Sequence, residues 1–162
     1  MPSFASDRVD DTVAHLSFLC PEDWQRGNEE LISPFTSTIT NGTGAMVSAG
    51  RWEHLLAEPP SAAELIAGAA WLASEYGEFF MPFDGNRTEV VMEDTTVAGR
   101  PAARAGYLLL FHPEDGEPAY VRVLVVALAA DKISFLLAVA PDTERHIVDS
   151  ILASTVPLPL TS

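Results

Sequence analysis

AYVRVLVVALAADKISFLLAVA (residues 119–140) holds two apolar runs separated by little more than Asp131 and Lys132. β-Branched, aromatic and leucine residues at this density predict strands over Ala119–Ala129 and Ile133–Ala140. A link this short joins antiparallel neighbours, because a parallel crossover needs a dozen residues or more. In the second run Ile133, Phe135, Leu137 and Val139 share one face, and Ser134, Leu136, Ala138 and Ala140 share the other. Both faces are apolar, so this strand belongs inside a sheet that is covered on both sides.

Working outward, Thr88–Val97 and Ala102–His112 have the same character and extend the meander through GRP and PEDGEP connections. Ser61 to Phe80 reads instead as a helix. Ser61 with Glu64 makes a capping box, and Pro59-Pro60 blocks any helix upstream. Leu65, Ile66, Ala69, Leu72, Ala73, Tyr76, Phe79 and Phe80 form its apolar face. After Pro141, Asp142 is placed to cap a second helix running to Ser154, with Ile147, Val148, Ile151 and Leu152 inward. In the first sixty residues a strand is expected over Thr12–Leu19, and a hairpin from Phe35–Asn41 and Ala45–Ala49 around NGTG. The order β-β-β-α-β-β-β-β-α predicts one α+β domain over residues 1–162, an antiparallel sheet of six or seven strands carrying two main helices. Residues 1–11 and 157–162 are expected to be flexible tails.

Composition agrees with a globular chain. Of 162 residues, 48% are hydrophobic and 20% charged, which excludes disordered, collagenous and coiled-coil classes. The single Cys20 forms no internal disulfide and reads as a small buried hydrophobe. The longest uncharged apolar stretch, Val123–Ala130, is too short to span a membrane. MPSFASDRVDD has neither the basic nor the apolar region of a signal peptide, so a soluble, cytoplasmic protein is expected. The net charge of −14 argues against nucleic-acid and anionic-membrane partners. Eight of the nine basic residues are Arg, the bias of a GC-rich genome.

Three segments resemble a known family. SFLCPEDW (17–24) is similar to the apolar strand and Pro-x-x-Trp opening of the PsbP-like fold, which includes a photosystem extrinsic protein, a Ran-binding import factor and the actinobacterial LpqN/LpqT lipoproteins. TTVAGRPAARAGY (95–107) resembles the Gly-Arg-Pro-Ala turn of the LpqN/LpqT type, and ISFLLAVAPDTERHIVDSILAST (133–155) its closing strand and helix. The resemblance implies the same α+β fold and a binding or scaffolding role. It supplies no catalytic site.

The residues themselves also offer little chemistry. His15, His54, His112 and His146 lack metal-ligand spacing, and no cysteine pair accompanies them. Asp84-Gly85-Asn86 lacks the remaining ligands of a calcium loop. Nucleophile-elbow, dinucleotide and P-loop patterns are missing from the sequence. Glu89, Glu93 and Asp94 read as a solvated face. No catalytic residue, metal or cofactor is assigned, and a non-enzymatic domain acting through a protein partner is the leading expectation.

Two surfaces stand out. On the long helix Trp71 turns away from the apolar face into the company of Glu64, Glu75 and Glu78. An indole so placed is covered by a loop, such as Arg51-Trp52, or it meets a partner. The acidic rim favours a basic heterologous partner over a homodimer, leaving monomer and homodimer both open. The alternative is a small-molecule-binding protein or enzyme with a pocket between sheet and long helix. There Phe79, Phe80, Phe83 and Tyr107 would form apolar walls, and Arg100 or Arg104 would clamp a carboxylate. A third reading is an acidic chaperone or immunity partner of a basic effector.

Overall fold

The architecture was analysed in a computed structural model, which describes residues 7–27, 31, 34–52, 61–77, 86–111, 116–129 and 131–159. Its centre is the pair that the sequence singles out. Strand β8 (Ala119–Ala129) lies antiparallel to β9 (Lys132–Pro141), with Val123 opposite Leu137 and Val125 opposite Phe135. On the other side of β8 comes β7 (Arg100–Leu110) and then β6 (Asn86–Val97) at the edge. Beyond β9 follow β5 (Met46–Trp52), β4 (Phe35–Thr40) and the two-residue β3 (Gln25–Arg26). The sheet is antiparallel throughout, in the order β3-β4-β5-β9-β8-β7-β6.

Both faces are covered, as the alternation in β9 requires. Helix α1 (Ala62–Gly77) packs Leu65, Ala69, Leu72 and Ala73 against Tyr107, Val121, Val123, Phe135 and Leu137. Its capping box closes as expected, with Ser61 Oγ accepting the Glu64 N–H and Glu64 Oε1 accepting the Ser61 N–H, each at 3.1 Å. The opposite face carries helix α2 (Arg145–Ala153), which buries Val148 and Ile151, and a small second sheet. This sheet joins β1 (Asp7–Asp11), β2 (Leu16–Cys20) and β10 (Val156–Pro157) in the order β1-β2-β10. Trp24 reaches the same core through a turn in which its N–H donates to Pro21 O at 2.9 Å. Cys20 is buried there too.

Three local expectations are corrected. The tails assigned to residues 1–11 and 157–162 are wrong at their inner ends, because Asp7–Asp11 and Pro157 belong to strands. The strand expected over Thr12–Leu19 splits, residues 12–15 forming the turn between β1 and β2. Asp142 does not cap α2. A 3₁₀ turn, Asp142–Glu144, precedes that helix, and the Asp142 carboxylate accepts the Arg145 Nε–H at 2.7 Å.

Candidate functional site

Two surfaces place chemistry at the exterior, one on each side of the large sheet. On the α1 side Trp71 is 41% exposed. The indole of Trp52 from β5 lies beside it at 6.2 Å between ring centroids, tilted by 34°. Tyr76 meets Trp71 edge-on at 6.1 Å, Phe35 meets Tyr76 at 5.2 Å, and Phe135 meets Phe35 at 5.8 Å. These rings form a continuous path from solvent at Trp71 to the buried Phe135, and it immobilises the outermost indole. Trp52 packs on one side of Trp71, which keeps part of its surface in solvent. Glu75, one turn beyond, is exposed, whereas Glu64 is turned back to the helix start by the capping box. Glu78 lies outside the described residues.

On the α2 side an open groove of about 660 Å³ runs between β6 and α2. Its floor is Arg104 of β7 with Arg122 and Leu124 of β8. Leu152 and Val156 form one wall and Val97 the other. Tyr120 anchors the floor. Its hydroxyl donates to Asp149 Oδ1 at 2.7 Å, and the guanidinium carbons of Arg122 and Arg145 stand 4.1 Å and 4.7 Å from its ring centroid. Burial, then the bond to Asp149, pushes the Tyr120 phenol above its ordinary value, against the pull of the two arginines. Arg104 forms an ion pair with Glu93 at 2.8 Å, and Arg145 pairs with Asp142.

A family model describing the fibronectin-attachment protein domain matches residues 8–135, from β1 into β9. The chain belongs to the fibronectin-attachment protein domain family. No curated protein matches it. Among solved structures this fibronectin-attachment domain is similar to the cyanobacterial PsbP of Synechocystis, at 18% identity and a TM-score of 0.65, covering 96% of this chain and 94% of that one. It is also similar to the Ran-binding protein Mog1p of Saccharomyces cerevisiae, at 9% identity and a TM-score of 0.57, with 96% and 97% covered. For LpqN of Mycobacterium tuberculosis, a protein involved in cell envelope biogenesis, the values are 15% and 0.54, with 97% and 87% covered. At these identities the likeness establishes a PsbP-like fold for the domain.

Among the described residues, Tyr107 and the two arginines expected to line a pocket between sheet and long helix are not brought together. Tyr107 does face α1, but it is buried and its hydroxyl donates to Ala73 O at 2.9 Å. Arg100 and Arg104 alternate onto the opposite face, where Arg100 donates to Leu128 O and Arg104 enters the α2-side groove. A sheet side-chain period of two separates odd Tyr107 from even Arg100 and Arg104, so one pocket cannot use both. Phe79, Phe80 and Phe83 lie outside the described residues. Arg122 and Tyr120 are the groove residues that the sequence reading missed. The available signal was Arg122, the one charge in an otherwise apolar strand. Among the described residues no group of His, Cys, Asp and Glu is arranged to hold a metal ion, and no helix is long and apolar enough to cross a membrane.

Proposed function

We propose that this chain is a non-enzymatic binding domain that holds a protein partner through the aromatic face of α1. The observation that carries this is Trp71, 41% exposed yet fixed by Trp52 and Tyr76. An immobilised indole loses little side-chain entropy on binding, which is why rigid aromatics serve as interface anchors. Glu75 and the strongly acidic chain favour a partner segment with basic residues, and they disfavour pairing of two copies through the same face. The domain therefore acts as a monomer in this reading.

The family description makes fibronectin the first partner to test. Fibronectin would be immobilised and the chain passed over it, with the Trp71→Ala variant alongside. Saturable binding lost in the variant supports the proposal. Wild type and variant binding equally would move the contact away from α1. Attachment to an extracellular partner and the expected cytoplasmic location are mutually exclusive, and fractionation of the native host decides between them. Kinship with the LpqN/LpqT-type proteins, through the Gly99-Arg100-Pro101-Ala102 segment and the closing helix, is part of the same proposal.

A further inference from the structure

Arg122 lines the groove on the opposite side of the large sheet from the aromatic face. Three arginines, Arg104, Arg122 and Arg145, stand at or beside this groove, and two of them pair with an acid. Arg104 and Arg145 do so with Glu93 and Asp142. Arg122 does not: no carboxylate among the described residues comes within ion-pair distance of it. It is partly buried, and Nη1 donates to Val121 O at 2.9 Å. Two features hold it in place. It stacks on Tyr120, and it lies across Gly106, its register partner on β7, where a Cβ would stand 2.6 Å from Nη1 and 2.8 Å from Cδ. A positioned guanidinium on the floor of a groove, with unused N–H donors, is an anion-binding group.

The surroundings define the anion. Val97, Leu124, Leu152 and Val156 line the same groove and require an apolar body. Glu93 and Asp149 also line it, Arg104 is already neutralised, and the chain bears −14, so a dianion is repelled more strongly than a monoanion. We infer that the groove between β6 and α2 binds a monocarboxylic acid with an apolar body, its carboxylate on Arg122 and its body along Leu124, Leu152 and Val156.

The test is calorimetric titration of the full chain with decanoate, decanol, decyltrimethylammonium and decyl phosphate. Decanoate is expected to bind at least about tenfold more tightly than any of the others, and Arg122→Gln to erase that preference by a similar factor. Leu152→Asn should weaken decanoate without restoring decanol. Trp71→Ala should leave decanoate binding unchanged, which separates this site from the proposed protein contact. In the wild-type chain the Arg122 Nε–H resonance should shift on adding decanoate, a readout that stands even if a variant fails to fold. Equal affinity for decanol, tighter binding of decyl phosphate, no binding of decanoate, or an unmoved Arg122 resonance would each overturn the inference.

Discussion

Gly68 of α1 and Trp52 of β5 are in direct contact, and the contact leaves no room for a side chain on the helix. A Cβ on Gly68 would stand 1.9 Å from both Cη2 and Cζ3 of Trp52. The glycine is what lets the indole lie on α1 and reach Trp71. Replacing Gly68 by Ala raises helix propensity by about 1 kcal/mol. Displacing a ring from a packed seat costs about 1–3 kcal/mol, so the clash wins. Gly68→Ala is expected to destabilise the fold by about 1 kcal/mol net and to change tryptophan fluorescence in the folded state. An unchanged spectrum with a higher Tm would show that Trp52 is not seated there.

Trp71→Ala is expected to separate the proposed binding from folding. The indole is partly exposed, so its loss removes ring contacts with Trp52 and Tyr76 and leaves the core intact. Such pairs contribute about 0.5–1.5 kcal/mol. Urea denaturation should report a loss of about 1 kcal/mol with an unchanged slope. A loss several times larger would place Trp71 in the structural core.

Asp11 ties the small sheet to the large one. It is 6% exposed, accepts the N–H groups of Val13 and Ala14 at 2.9 Å, and accepts the hydroxyls of Thr36 and Ser37 at 2.5 and 2.6 Å. Asp11→Ala strands these donors and is expected to cost about 3 kcal/mol. Asp11→Asn keeps an acceptor and should cost about half as much. Equal, small losses in chemical denaturation would show that the two sheets are held together without it.

The β6–β7 hairpin carries a correctable strain. Its turn residues Ala98 and Gly99 have φ of 51° and 79°, the left-handed values that a two-residue hairpin demands. Ala98 is the wrong residue for that position. Ala98→Gly is expected to raise stability by about 0.5 kcal/mol, relief of the strain outweighing the added freedom of the unfolded chain. Ala98→Val should lower it by more than about 1 kcal/mol, because β-branching is least tolerated there. Tm shifts of the same sign for both would refute the assignment.

Tyr120 makes stability depend on alkaline pH. Its folded value is raised above 10.0 by burial and by donation to Asp149. Folding therefore favours the protonated phenol. That contribution is complete below the unfolded value and disappears as pH rises through the folded one. The loss of stability across this window should shrink in Tyr120→Phe, measured as the fall in urea midpoint from below to above the unfolded value. An identical fall in both proteins would assign the alkaline transition to other groups.

Much of the fold was legible because it rests on local signals. The alternation in Ile133–Ala140 placed β9 at the centre, and the short link at Asp131-Lys132 made its neighbour antiparallel. The capping box at Ser61 and Glu64 set the start of α1, and with it the outward direction of Trp71. Strand and helix periods are properties of consecutive residues, so they survive without knowledge of partners.

What the tertiary structure alone decided is everything that depends on residues distant in the chain. Asp11 looks like part of a polar tail until Thr36 and Ser37, 25 and 26 residues away, supply its hydrogen bonds. Val156 and Pro157 become a strand only because β2 offers Ser17 and Leu16 as partners. Arg104 and Tyr107, close in sequence, are separated by the sheet between them, while Arg122 and Leu152, thirty residues apart, line one groove. Sequence periodicity says which residues share a face. Which faces meet depends on long-range packing, where the free energy comes from burying surfaces that neighbouring residues do not share.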